Sequence, residues 1–213
     1  VHKGNGVQII YGPRVTVVKS NLEDYLETAP DELYQPSAAD TDQAAENKTG
    51  SMAEKKAEGK LIRSEIISSP VNGVAADLSE APDEAFAGRM MGDGAIVTPE
   101  EPKVVAPEDG EVSFVFDTKH AIGLVTSSGT ELLLHMGIDT VKLNGKGFEV
   151  LVKDGDKVKK GDLLMKLDLA YLAEHAPSLA SPVLCTELSE NQKIRLLKSG
   201  NIQAGEALFA IDT

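Results

Sequence analysis

Three histidines, His120, His135 and His175, fall where the chain is rich in short apolar runs, and two of them flank a single turn. Residues 121–125 and 131–136 read as two β-runs joined by Thr126-Ser127-Ser128-Gly129-Thr130, a hairpin signal. With Ser128-Gly129 as a two-residue loop, Ile122 faces His135 and His120 is its diagonal neighbour on the same face, roughly 7–8 Å away between backbones. With Ser127-Ser128 as the loop, His120 and His135 stand directly opposite, about 5 Å apart. A three-residue loop breaks the parity and sends the rings to opposite faces. Two of these three registers bring two imidazoles together.

Paired imidazoles suit either a metal or a phosphoryl group. A zinc hydrolase site needs a further nitrogen ligand, usually in a His-x-His pair, and a carboxylate. Asp139 supplies the carboxylate, but the residues two before and two after His135 are Leu133 and Gly137, so the ligand set is short and no metal is expected. Phosphoryl transfer asks for less. A neutral imidazole nitrogen attacks phosphorus when its other nitrogen is held as a donor, and a second histidine can donate to the equatorial oxygens. Thr118, two residues before His120 and on its face, is placed to orient that ring. There is no Gly-x-x-x-x-Gly-Lys-Ser/Thr loop to hold a nucleotide, so the phosphoryl group is expected to come from another protein, with no cofactor.

The elements that must position these residues are short strands. Apolar runs recur at 66–67, 71–76, 95–97, 104–105, 112–116, 121–125, 131–137, 148–152, 163–169, 183–184 and 207–211. Turn signals such as Glu108-Asp109-Gly110, Asp154-Gly155-Asp156 and Ser199-Gly200-Asn201 separate them. This spacing predicts an all-β, antiparallel sandwich or partly open barrel, with short helical pieces at 83–87 and 169–175. Segments 154–164 and 199–208 share a Val/Ile-x-x-Gly-x-x-Leu pattern, with Gly155 and Gly200 shortly before it, which reads as a repeated β-hairpin with glycines at positive φ.

The first 64 residues differ in texture. Two β-branched runs around Gly12-Pro13, followed by Asn21-Leu22-Glu23-Asp24-Tyr25-Leu26, look like the end of an α/β domain whose body would lie upstream, so the chain reads as part of something longer. Residues 27–64 are rich in Ala, Asp, Glu, Lys, Ser and Thr and poor in large apolar residues, which predicts a disordered linker. No apolar run approaches the ~20 residues needed to cross a bilayer, and no secretory leader is seen. The chain of 213 residues has 34 acidic and 21 basic side chains, and that balance argues against nucleic acid as a partner. Its one cysteine, Cys185, allows no internal disulfide and reads as a small buried strand residue; His175 reads as a solvated helix-end histidine.

Thr118-Lys119-His120-Ala121 together with Glu131-Leu132-Leu133-Leu134-His135-Met136-Gly137-Ile138-Asp139-Thr140-Val141 closely resembles the signature of the enzyme IIA domain of the glucose superfamily, in the phosphoenolpyruvate-dependent sugar phosphotransferase system. The resemblance extends over residues 65–213 through Glu65-Ile66-Ile67-Ser68-Ser69-Pro70-Val71-Asn72-Gly73, Gly92-Asp93-Gly94-Ala95-Ile96, Val105-Ala106-Pro107-Glu108-Asp109-Gly110, Leu143-Asn144-Gly145-Lys146-Gly147-Phe148 and Val158-Lys159-Lys160-Gly161-Asp162. It implies a phosphocarrier on an antiparallel β-sandwich, a protein-histidine phosphotransferase. His135 matches the histidine that accepts a phosphoryl group from the carrier protein HPr and passes it to a cysteine of a IIB domain. His120 matches the residue that steadies the phosphate, and Thr118 the one bonded to it.

Asp83 and Asp139 match carboxylates facing basic partners, and Phe86 an interface aromatic. Leu133 and Met136 stand where relatives often carry Phe, and with Phe86 they are expected to form an apolar collar that keeps water from the phosphohistidine. The resemblance also assigns residues 1–26 to the end of a IIB domain, whose cysteine would lie upstream, and implies a IIC membrane domain in the same transporter. The expected location is the cytoplasm, tethered to the inner face of the membrane. Two rival readings are a biotinyl- or lipoyl-like carrier, prompted by Met165-Lys166-Leu167 near the repeated glycines, and the zinc hydrolase above.

Overall fold

A computed structural model describes residues 64–213; the expected IIB-type segment at 1–26 and the linker lie outside the described residues, apart from Ser64, which begins the first strand. Fourteen strands follow in chain order: β1 (Ser64–Ser68), β2 (Gly73–Asp77), β3 (Asp93–Pro99), β4 (Lys103–Val105), β5 (Gly110–Val115), β6 (Ala121–Thr126), β7 (Glu131–His135), β8 (Phe148–Val150), β9 (Lys157–Val158), β10 (Leu163–Leu167), β11 (Ser181–Cys185), β12 (Lys193–Leu196), β13 (Gly200–Ile202) and β14 (Ala207–Asp212). The two short helices are α1 (Glu84–Ala87) and α2 (Leu169–His175), both where the sequence placed them, and single 3-10 turns span Leu78–Glu80 and Thr140–Leu143.

The strands form an eight-stranded sheet, β13-β2-β3-β11-β7-β6-β5-β9, and two three-stranded sheets, β1-β14-β12 and β4-β10-β8. Every ladder between named strands is antiparallel. The main core lies against one face of the large sheet, where Leu132, Leu134, Ile122, Val183 and Val97 meet Leu164, Phe209 and Ile211 of the small sheets. This is the expected open sandwich.

Side chains of a strand alternate between faces, so the large sheet must also cover a second set. Leu133, Leu184, Ile96 and Ala121 point the other way and, with Leu78 and Phe86 from the 78–87 segment, form a second apolar cluster. A central strand buried on both faces explains the unbroken Leu132-Leu133-Leu134 run of β7. The site sits on this second cluster.

The repeated glycine pattern does not form hairpins. Gly155, Gly161, Gly200 and Gly205 do have positive φ, but β9 pairs with β5 while β10 pairs with β4 and β8, and β13 pairs with β2 while β14 pairs with β1 and β12. The pattern is a turn that passes the chain from one sheet to another. A carboxylate holds it in both copies: Asp162 accepts the Lys159 N–H at 2.8 Å, and Glu206 the Gln203 N–H at 2.8 Å.

Candidate functional site

The β6–β7 hairpin adopts the register that strand parity counted against the site. Ala121 pairs with His135 and Ile122 with Leu134. The Thr126 N–H donates to the Thr130 carbonyl at 2.9 Å, leaving residues 127–129 as a three-residue loop. The rings of His120 and His135 nevertheless meet. His120 precedes β6 rather than belonging to it, and the residue before it, Lys119, has φ of +58°. The turn from Phe116 to Ala121 is closed by the Lys119 N–H on the Phe116 carbonyl (2.7 Å) and the Phe116 N–H on the Ala121 carbonyl (3.1 Å). Freed from the alternation of the strand, His120 turns back over the face that carries His135. Its carbonyl still accepts the Met136 N–H at 2.8 Å, so the turn stays fastened to β7.

The two imidazoles are edge to face, with centroids 4.7 Å apart and planes at 81°. His120 is 2% and His135 6% exposed. Nδ1 of His120 lies 2.7 Å from the Thr118 hydroxyl, which leaves its Nε2 edge for the shared site. Nδ1 of His135 is sealed from solvent and has no hydrogen-bond partner among the described residues. Both rings are pushed down from 6.5 to about 4, chiefly by burial; the neighbouring histidine adds to this at His120. At His135 the carbonyls of Gly137 and of His135 itself, and the carboxylates of Asp83 and Asp139, pull weakly the other way. Two neutral imidazoles in an apolar setting are the result: nucleophiles and donors rather than cations.

The surrounding residues fall into two groups. Phe86 packs on the His135 ring with centroids 5.0 Å apart, and Leu133 lies beneath in the same cluster. Asp83 caps α1, its carboxylate accepting the N–H groups of Ala85 (2.9 Å) and Phe86 (3.2 Å), which fixes the helix that presents Phe86. Asp139 stands exposed on the other side with φ of +59° and pairs with Lys142 at 2.6 Å. Met136 does not join the collar. One residue beyond His135, it points to the opposite face and is packed in the main core at 1% exposure. The collar has instead an aromatic member that the sequence reading overlooked: Phe116 lies 5.2 Å from His120 and is braced by Phe114 at 5.3 Å. Phe114 and Phe116 are two apart on a β-run, so period-2 spacing could have placed them on one face.

Neither rival reading finds its site. Lys166 lies within β10 and pairs with Glu149 at 3.2 Å, rather than standing at the tip of a turn. Among the described residues no group of three or more His, Cys, Asp or Glu side chains converges as metal ligands. Cys185 is buried, with its thiol pushed up to about 11 by burial, and His175 is exposed and stacks on Tyr171 at 4.0 Å.

Comparison with known proteins agrees with this geometry. Residues 65–191 match the family described as phosphoenolpyruvate-dependent sugar phosphotransferase system, EIIA 1. The PTS system glucoside-specific EIICBA component of Staphylococcus carnosus (strain TM300) is 40% identical over 212 residues, 98% of this chain and 29% of that protein. The glucose-specific EIICBA component of the same strain is 37% identical over 211 residues, again 98% and 29%. The chain thus spans less than a third of the length of these relatives. The solved structure of glucose permease IIA from Mycoplasma capricolum superposes with a TM-score of 0.65 at 36% identity, covering 70% of this chain and 96% of that one. The chain belongs to the EIIA family of the phosphoenolpyruvate-dependent sugar phosphotransferase system.

Proposed function

We propose that His135 is the phosphoryl acceptor, that its donor is phospho-HPr, and that it passes the group to the cysteine of a IIB domain. The observation that carries this reading is the pair of neutral, buried imidazoles at 4.7 Å, one of them anchored through Nδ1 by Thr118. With Nδ1 of His135 sealed, Nε2 is the nitrogen left to meet a partner. Its lone pair forms the new N–P bond as the donor's N–P bond breaks in line, the electron pair returning to the donor imidazole. In the second step a cysteine thiolate forms the S–P bond and the His135 N–P electrons return to the ring.

His120, with the Thr118 hydroxyl on Nδ1, donates from Nε2 to a phosphoryl oxygen as charge develops there. Phe86, Phe116 and Leu133 exclude water, which slows hydrolysis of the phosphohistidine. Asp83 and Asp139 flank the ring and meet basic residues of the partners. Residues 1–26 are read as the end of the IIB domain and 27–64 as its linker, which keeps the IIA domain at a raised effective concentration near IIB and IIC on the cytoplasmic face of the membrane. Alignment of both relatives across 98% of the chain, and so through its first 64 residues, supports that assignment.

Incubation with labelled phosphoenolpyruvate, enzyme I and HPr tests the reading. Wild-type protein and His120→Gln take up an acid-labile phosphoryl group, and His135→Ala takes up none. His120→Gln then fails to pass the group to IIB. Labelling of folded His135→Ala, or normal onward transfer by His120→Gln, contradicts the assignment.

A further inference from the structure

The Met136–Gly137 and Gly137–Ile138 peptide units are both tied down, by groups outside the histidine pair. In the first, the Met136 carbonyl accepts the Thr140 hydroxyl at 2.7 Å and the Gly137 N–H donates to Ser181 Oγ at 3.0 Å. The Ser181 hydroxyl hydrogen is committed elsewhere, to the Leu179 carbonyl at 2.8 Å, so Oγ can only accept from Gly137. In the second, the Ile138 N–H donates to the Ser178 carbonyl at 2.9 Å. The Gly137 carbonyl, on the opposite side of the same peptide plane, has only a 3.5 Å contact from the Thr140 hydroxyl, whose shorter bond goes to Met136, and it is a backbone oxygen favouring charge on the His135 ring. Gly137 itself has φ of +74°, and a Cβ there would lie 2.7 Å from Thr140 Cγ2. Ser181 is 1% exposed, on the strand next to β7, where a hydroxyl is retained only at the cost of satisfying it.

We infer that Ser181 is a positioning residue for phosphoryl transfer: it fixes the Met136–Gly137–Ile138 backbone so that the Gly137 carbonyl holds the proton of His135 on Nδ1 and leaves the Nε2 lone pair free. This rests on His135 being the acceptor. The sealed, unpartnered Nδ1 is the atom that needs such a partner, and hydrogen bonds that are absent or long in a free enzyme commonly tighten when the reactant docks. The device controls which tautomer meets the donor. A ring protonated on Nε2 has no lone pair there to attack phosphorus.

Full-length Ser181→Ala and Ser181→Thr are compared with wild type by single-turnover transfer from phospho-HPr and by 15N spectra of the His135 ring. For Ser181→Ala the transfer rate falls about tenfold, equivalent to ~1.4 kcal/mol in the barrier, while labelling still reaches completion. The share of His135 protonated on Nε2 rises, and Ser181→Thr restores both rate and tautomer. A wild-type rate and an unchanged tautomer in Ser181→Ala overturn the inference, as does a slow rate with the tautomer unmoved. Where Ser181→Ala does not fold, Ser181→Cys, with a weaker acceptor of similar size, carries the same comparison; loss of fold in both overturns the positioning role. Wild-type protein that takes no label on His135 refutes the acceptor assignment and not the role of Ser181 alone.

Discussion

His120 and His135 stay neutral because they are buried against apolar groups, and this links their chemistry to stability. Each titrates at about 4 in the folded protein, against 6.5 for a free imidazole. As pH falls below about 6.5 the unfolded chain takes up protons that the folded one refuses, so stability is full above that value and is lost progressively toward pH 4. Urea midpoints between pH 7.5 and 4.5 should fall more steeply for wild type than for His120→Gln/His135→Gln; equal slopes contradict the shared burial. The rate of acceptance should be flat from pH 6 to 8, since neither ring titrates there. At this scale residue type and the family resemblance pointed to Thr118, His120 and His135, and the structure brings them together, although in a register that strand parity counted against them. Met136 was misplaced because a resemblance transfers positions but not the face on which a side chain lands. Ser181 was invisible because its contact, Gly137, is 44 positions away in the chain.

The hairpin shows why register could not be read from alternation alone. Parity applies only inside a strand, and His120 lies in a turn whose left-handed Lys119 resets the direction of the next side chain. Such a conformation is disfavoured for a non-glycine residue by roughly 1–2 kcal/mol. Lys119→Gly should therefore keep transfer activity and leave stability unchanged or raised by up to ~1 kcal/mol, whereas Lys119→Val should lose ~1–2 kcal/mol and slow onward transfer. Thermal or urea unfolding together with a IIB transfer assay measures both. A Lys119→Gly protein as impaired as Lys119→Val would show that the lysine side chain, not the backbone, matters.

Glu65 anchors the far end of the hairpin, accepting from the hydroxyls of Thr130 (2.7 Å) and Ser128. Gly123 in β6 is the other constraint, because a Cβ there would lie 2.3 Å from the Phe114 ring. Gly123→Ala should displace Phe114, and through Phe116 the His120 ring, costing ~1–3 kcal/mol of stability. It should slow transfer to IIB more than labelling of His135; a rate loss confined to labelling would break that chain of contacts. The strands with strong apolar runs were legible, whereas β12 was not, since Lys193-Ile194-Arg195-Leu196 is half-exposed and depends on β14 for its pairing.

Across the whole molecule, residues 64–213 carry 24 acidic and 13 basic side chains, a net of −11. An acidic body is suited to attract a carrier with a basic face, and that attraction is screened by salt. The rate of acceptance from phospho-HPr should fall several-fold between about 50 and 500 mM salt, while the rate within the bound complex stays constant; stopped-flow measurements at varied carrier concentration separate the two. The sandwich class was legible because short strands and turns recur along the chain. The division into one large and two small sheets was not, because the glycine turns at 154–164 and 199–208 look like hairpins locally and hand the chain between sheets only in the assembled fold.

The most direct measurement is 31P–15N coupling in protein labelled with 15N-histidine and phosphorylated through HPr. One phosphorus coupled to Nε2 of His135, with none on His120, is the predicted spectrum. Phosphorus bonded to His120, or to Nδ1 of His135, would contradict it.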